Sequence, residues 1–317
     1  MNLSYLLNYF RIKRSTYYFN LRTFFSIDVV FKKTNNTGKK TRDYCFTTKN
    51  TVIHDDEIKK IILDIYSIND PYNPSNYIKF LGSKKLSAFL KKQHGIIINH
   101  KKLDRLKKEL NLFRSYKKHS KHPKKRPQDH DVTAPNQYWE ADIKFIPVKD
   151  GHLMLFDVID VFDKNIVCSY IGDSCKASHI NQALLKSFKF RNIDNSKLII
   201  RTDNGSQFKS NSFRAFLNEY IKKHEFGYKN NPNSQAFIES HHSNLQREFV
   251  ANNTFTDVKD VYEKYVAYMD FYHNIRPHGS LDNSTPTDFH KDFVSYSKSI
   301  NDESFLYYDF VVKVKRG

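Results

Sequence analysis

Cysteine is scarce: Cys45, Cys168 and Cys175 are the only three in 317 residues, and no Cys-x-x-Cys pair occurs. That excludes a disulfide framework and a zinc knuckle, and it suits a reducing interior. No uninterrupted apolar run approaches the ~18–20 residues needed to span a bilayer. Met1 to Phe10 is apolar-rich, but Arg11, Lys13 and Arg14 follow it rather than precede it, the wrong polarity for a secretory signal. The expected compartment is the cytoplasm. Acidic residues are also short, 34 against 52 Lys plus Arg, which leaves a formal charge of +18. So large a surplus points to a polyanionic partner, nucleic acid before membrane. A ribosome-associated or simply basic protein is the alternative that composition leaves open.

What is present falls into five stretches, bounded at 1–53, 54–112, 113–135, 136–292 and 293–317. The first holds Arg14-Ser15-Thr16-Tyr17-Tyr18 and, from Thr34 to Thr51, a polar linker-like run. Residues 54–112 read as helices. Asp55-Asp56-Glu57 sets carboxylates at a helix start, and Ile58, Ile61, Ile62 and Ile65 make an amphipathic stripe. A second helix is expected from Ser83 to about Gln93, ended by Gly95. A third begins near Asn99, with Lys101, Lys102, Arg105, Lys107 and Lys108 around a stripe of Leu103, Leu106 and Leu110. This order is that of a helix-turn-helix, whose second helix lies in a DNA groove; a basic, solvated face on a three-helix bundle has the same pattern. From Phe113 to Pro135, Arg114, Lys117, Lys118, Lys121, Lys124, Lys125 and Arg126 accompany nothing that could build a core. This is a linker suited to tracking phosphates.

From Asn136 the pattern becomes α/β. Trp139, Ala141, Ile143 and Phe145 alternate with polar neighbours as one strand. Asp150-Gly151 turns into a second strand to Val161, and Asp163-Lys164-Asn165 into a third over 166–171. Helices are expected at Ala177–Phe188, Asn211–Lys223, from Glu239 to Phe249, at Val258–Tyr272 and, briefly, after Pro286. Three meandering strands followed by strand–helix alternation is the order of a ribonuclease-H-like fold, with a mixed five-stranded sheet. Leu198-Ile199-Ile200 is a buried-strand run ending in Arg201-Thr202-Asp203-Asn204-Gly205, which delivers Asp203 at a strand's carboxyl end. Asp142 lies in mid-strand and Glu239 opens a helix, so these three acids could meet at one point.

The words around them carry a resemblance. Trp139-x-x-Asp142, Asp203-Asn-Gly-Ser-Gln207-Phe and Ala236-Phe-Ile-Glu239-Ser, with 35 residues between Asp203 and Glu239, resemble the Asp-Asp-Glu signature of retroviral integrases and insertion-sequence transposases. Tyr272-His-Asn274-Ile-Arg276-Pro277-His278, with Pro286 beyond, is similar to the tail motif of one transposase group. That group makes its enzyme from two overlapping frames, and this chain resembles the second, catalytic product over roughly residues 55 to 292. The resemblance implies an integrase catalytic core that cleaves and transfers DNA strands at the ends of its element. It further implies a homo-oligomer on double-stranded DNA, an upstream-frame product fused or supplied in trans, and a bacterial, nucleoid-associated setting. Lys144, Arg201 and Gln246 depart from residues common in the family, and none of the three belongs to the triad.

Carboxylates brought together repel and raise one another's pKa. Three at one site call for hard divalent cations, and Mg²⁺ with oxygen ligands fits a chain without Cys/His clusters; Mn²⁺ can stand in. Two ions about 3.5–4 Å apart would serve an in-line displacement at phosphorus, Asp142 bridging both while Asp203 and Glu239 hold one each. Asp157 and Asp160 compete for the role on a neighbouring strand. Asn204, Gln207, His242, Arg247 and Arg276 are candidate DNA contacts, with Lys101, Lys102, Arg105 and Lys108 of the helical stretch and Lys117, Lys118, Lys124 and Lys125 of the linker. Rival functions are a ribonuclease-H-type nuclease, a phage or retroelement integrase, and a DNA-binding relic or repressor without catalysis.

Overall fold

A computed structural model describes residues 42–113, 130–194, 196–227 and 235–300. The chain divides into Met1–Asp43 and Tyr44–Gly317, and the description below concerns the second unit. The Ser15-Thr16 phrase, the linker cations between Arg114 and Arg126 and the tail beyond Ile300 lie outside the described residues.

The second unit opens on a hairpin, β1 (Tyr44–Thr47) and β2 (Val52–His54), part of which the sequence reading assigned to a polar linker. Asn50, at a φ of 58°, takes the left-handed turn position that Asn tolerates. Helix α1 (Asp55–Ser67) follows, with its acids in the first turn and Ile58, Ile62 and Ile65 buried. Helices α2 (Ser83–His94) and α3 (His100–Glu109) flank β3 (Ile96–Ile97), which pairs with β1. Gly95 ends α2 at a φ of +65°, and the Asn99 side chain caps α3 by accepting the Lys101 amide. The spacing of Leu86, Phe89, Leu90, Leu103 and Leu106 places all five inside.

The larger sheet comprises β4 (Tyr138–Val148), β5 (Gly151–Asp160), β6 (Ile166–Gly172), β7 (Ile199–Thr202) and β8 (Lys223–Phe226), in spatial order β6-β5-β4-β7-β8. The first three are antiparallel, whereas β7 runs parallel to β4 and β8 parallel to β7. This is the mixed five-stranded sheet of the ribonuclease-H-like fold. Helices α4 (Ala177–Arg191) and α5 (Asn211–Tyr220) cover one face, where Trp139, Ala141, Phe156 and Val158 meet Ile180, Leu184, Phe213 and Leu217. On the opposite face lie α6 (Ala236–Glu248) and α7 (Val258–Asp270), and α8 (Pro286–Ile300) follows in the chain. There Leu153, Leu155 and Ile159 join a cluster that extends through Leu245, Phe249 and Tyr268 to Ile58, Tyr77 and Leu90. The helical stretch and the sheet therefore share one core. Tyr77 is its rivet: the fully buried ring lies 5.3 Å from Tyr268 and 5.9 Å from Phe271, centroid to centroid.

Two expected helices end differently. The one expected at Asn211–Lys223 stops at Tyr220, because the Lys222 amide bonds the Leu198 carbonyl and draws the chain into β8. The one expected to reach Tyr272 ends at Asp270, and a wider π-turn spans Phe271–Ile275.

Candidate active site

Period-2 alternation sends Trp139 and Ala141 of β4 into the α4/α5 face and turns Glu140 and Asp142 toward α6. Asp142 faces Asp157 of β5 across the antiparallel ladder. On its other side the parallel register pairs Ala141 with Thr202, so Asp142 and Asp203 are the next residues along two adjacent strands. Asp203 is held in a tight turn, its Oδ1 accepting the Gly205 amide at 2.9 Å. A Cβ on residue 205 would crowd the Gln207 side-chain amide at 2.7 Å and that same oxygen at 2.9 Å. Asn204 secures the turn from outside by donating to the Gly227 carbonyl at 2.8 Å.

Glu239 enters on the first turn of α6, which lacks a cap of its own: Gln235, at the cap position, makes no side-chain bond to the helix. It donates instead to the carbonyl oxygens of Ala141 at 2.9 Å and Arg201 at 3.4 Å, tying α6 to both acid-bearing strands. The missing acceptor comes from β4. Glu140 Oε2 takes the amides of Phe237 and Ile238 at 2.9 and 3.0 Å. Burial pushes the Glu140 carboxyl up to about 7 in spite of these two bonds.

Charge links the triad through Asp142. Partial enclosure raises the Asp203 carboxyl and the negative charge of Asp142 raises it further. The same two causes, in the same order, lift Glu239 to about 7 although its side chain stands at the surface. His242 answers from α6, its Nδ1 3.4 Å from Asp142 Oδ2 and its Nε2 3.6 Å from Asp157 Oδ2. Burial alone would strip the ring of its proton, but the two carboxylates outweigh it and hold the pKa at about 9.

The competing acids are committed elsewhere. Asp157 is fully buried and takes bonds from Ser169 and Tyr265 hydroxyls, both at 2.6 Å, while His241 Nε2 lies 3.2 Å away. Burial opposes ionisation there, yet the bonds from His241 and His242 hold the carboxyl well below the usual range. Asp160, also fully buried, accepts the Trp139 indole N–H at 3.3 Å and the Asn136 amide at 2.7 Å.

Asp142, Asp203 and Glu239 supply only oxygen donors; burial first and the Asp142 charge second raise the carboxyls of the other two, and a hard divalent cation would relieve the second of these. The residues suit such an ion in kind. Among the described residues, however, no three His, Cys, Asp or Glu side chains are gathered closely enough to enclose one. Asp142 and Asp203 are neighbours on the two inner strands β4 and β7 and Glu239 stands on the first turn of α6, and the three do not form a closed cage.

The expected DNA contacts separate by burial. Arg276 is 1% exposed and forms a two-pronged ion pair with Glu248, Nε–Oε2 at 2.7 Å and Nη2–Oε1 at 2.9 Å. It is an interior clamp between α6 and the turn after α7 and has no surface to offer DNA. His242, 8% exposed, faces the Asp142 and Asp157 carboxylates at 3.4 and 3.6 Å and presents little surface to DNA. Lys102 and Arg105 reach Asp55 at the start of α1, at 2.5 and 2.7 Å. Lys101 and Lys108 stand exposed, and Gln207 and Arg247 are open to solvent in part. Lys117, Lys118, Lys124 and Lys125 lie outside the described residues. Sequence inspection missed Glu140 and Gln235, though a Gln ahead of an uncapped helix and a Glu on an inward strand position were both visible as oddities.

Residues 132–232 match the family model described as Integrase core domain, and residues 220–286 match a second model of the same description. The transposase for insertion sequence element IS904 of Lactococcus lactis subsp. lactis is 30% identical over 161 residues, 50% of this chain and 63% of that protein. A 31 kDa protein of insertion element IS600 from Shigella sonnei is 27% identical over 224 residues, 67% of this chain and 82% of that one. The chain thus spans less than two thirds of the first relative and more of the second. Among solved structures, a chain of the simian T-cell lymphotropic virus intasome is 19% identical at a TM-score of 0.45, covering 58% of this chain and 66% of that chain. The HTLV-2 integrase catalytic core solved with magnesium is 18% identical at a TM-score of 0.39, covering 50% of this chain and 97% of that chain. No helix among the described residues is long and apolar enough to cross a membrane.

Proposed function

We propose that this chain, which carries an integrase core of the kind found in insertion-sequence transposases, cleaves and transfers DNA strands at the ends of a mobile element. One observation carries the assignment to residues: Asp142 neighbours Asp203 in the strand register, and its charge adds to burial in raising the carboxyls of both Asp203 and Glu239. An acid in mid-strand, one just past a strand's carboxyl end and one at a helix start, with the charge of the first raising the other two, would make a cation-seeking site.

Asp142, Asp203 and Glu239 would hold the metal, Mg²⁺ with Mn²⁺ as substitute and two ions at full occupancy. Bound there, divalent cations activate an attacking oxygen and stabilise the leaving one in an in-line displacement at phosphorus. The chain's own part is positional. Asp203 is fixed by its turn, Glu239 by the docking of α6, and Asp142 by the His242 cation at 3.4 Å. Attack by water breaks one phosphodiester bond and leaves a 3′-hydroxyl; attack by that hydroxyl on a target phosphodiester forms a new bond and releases another 3′-hydroxyl. The DNA is held by a chain of formal net charge +18, with exposed Lys101 and Lys108 on α3 and the cations of 114–126 as first contacts. Action as an oligomer, with an upstream-frame product fused or in trans, belongs to the same proposal.

The test is cleavage of duplexes bearing candidate element ends, with and without divalent cation. Asp142→Asn should abolish cleavage and strand transfer while DNA affinity stays unchanged. Absence of cation-dependent cleavage by the unaltered protein on such ends would leave only a DNA-binding relic.

A further inference from the structure

Helix α6 begins without a local side-chain acceptor for its first amides, and an uncapped start is a weak place to mount a functional side chain. The last two amides before its first intrahelical bond, on Phe237 and Ile238, are taken by one oxygen of Glu140, a residue 2% exposed and 97 positions away in the case of Phe237. Three facts make this more than a packing detail. Glu140 and Asp142 are two apart on β4 and so share a face of the strand. The second capped amide, on Ile238, belongs to the residue immediately before Glu239. The acceptor is a carboxylate placed at the positive end of the helix dipole, where negative charge is favoured.

We propose that Glu140 is the positioning residue for Glu239: as a helix cap supplied from the strand that bears Asp142, it fixes how far Glu239 stands from Asp142. Glu140 binds no metal and touches no substrate. The distance between two of the acids is thereby set by a pair of hydrogen bonds two residues from one and one residue from the other. The inference rests on the triad proposed above as the cation site.

The experiment uses the full chain, metal-free and then with Mg²⁺ or Mn²⁺. Amide exchange at Phe237 and Ile238 is followed by NMR or mass spectrometry, and cation affinity by calorimetry, for the parent, Glu140→Ala and Glu140→Gln. In Glu140→Ala the two amides should exchange about tenfold faster and cation affinity should fall by about tenfold, as for loss of a cap. The Gln carbonyl can accept both amides, so Glu140→Gln should keep protection and affinity within roughly threefold of the parent. DNA affinity should not change in either. Unchanged exchange and affinity in Glu140→Ala overturn the proposal. Should Glu140→Ala fail to fold, Glu140→Gln decides. Retained protection with retained affinity supports a cap, whereas retained protection with affinity about tenfold weaker shows the charge itself facing the ion and overturns it. Failure of the underlying triad would look different, as an unaltered chain that binds no cation at all.

Discussion

Arg276→Ala separates an interior clamp from a DNA contact. The guanidinium and the Glu248 carboxylate are each 1% exposed, and two N–H···O bonds of 2.7 and 2.9 Å join them. Burial opposes ionisation of Glu248, but the Arg276 charge wins and holds its carboxyl below the usual range. Removing the arginine strands that carboxylate inside. Breaking a buried pair from one side costs about 3–5 kcal/mol. The lower end applies here, because Arg247 Nη2 lies 3.3 Å from Glu248 Oε1 and can partly replace the lost charge. With about 2–4 °C of Tm lost per kcal/mol in domains of somewhat smaller size, the loss of ~3 kcal/mol lowers Tm by roughly 6–12 °C. Urea denaturation and differential scanning calorimetry read the loss. The Arg276→Met, Glu248→Leu double variant should recover most of it, since matched apolar replacement of a buried pair is close to neutral. The salt dependence of DNA binding should stay as in the parent. A loss below about 1 kcal/mol, together with a salt slope reduced by about one, would put Arg276 on a phosphate and refute the clamp.

Burial raises the Glu239 carboxyl most and the Asp142 charge adds to it, so Asp142→Asn should lower it part of the way from about 7; an NMR titration of Glu239 that does not move refutes their coupling. Since the raised carboxyl must lose its proton to meet a cation, Mg²⁺ affinity should climb by up to about tenfold per pH unit below 7 and level off above it. Calorimetry between pH 5.5 and 8 checks this, and a flat profile counts against Glu239 as ligand. Burial draws His224 and His273 down to about 4, so both are neutral in the folded chain while the unfolded chain protonates near 6.5. Stability is therefore full above pH ~6.5 and drains as pH falls toward 4, by about 3 kcal/mol for His273. His273→Gln, whose carbonyl can still accept the Ile166 amide, should flatten that acid limb in urea titrations. Gly95→Ala should cost about 1–2 kcal/mol for its left-handed φ, with Thr48 Oγ1 2.9 Å from the added Cβ adding to the strain; an unchanged urea midpoint would contradict it.

Some of this was decided by residues close together in the chain. Alternation of Trp139, Ala141 and Ile143, the Asp-Gly turn at 150–151 and the Leu198–Ile200 run are local patterns, and they mark out β4, β5 and β7. Leu86, Leu90, Leu103 and Leu106 likewise declare their helix faces. The three acids proposed as the site can be nominated from the sequence because each is embedded in a short flanking word. β8 was not legible, because the expected helix ran on to Lys223, and only pairing with β7 makes a strand of the residues from Lys223 to Phe226. Lys102 and Arg105 had the look of groove-facing cations, and only the folded chain shows Asp55 beside them.

Tertiary structure alone decided the surroundings of the acids. The bonds of Phe237 to Glu140, Tyr265 to Asp157 and Arg276 to Glu248 join residues 97, 108 and 28 positions apart. No short-range pattern encodes such pairs, since a buried charge is tolerable only where a distant partner meets it. The sequence by itself determined which side chains were available and on which face of each element they stood. Which of them became interior clamps, caps or open carboxylates followed from the packing of α6 against the sheet, because burial sets what a charge costs and proximity sets what relieves it.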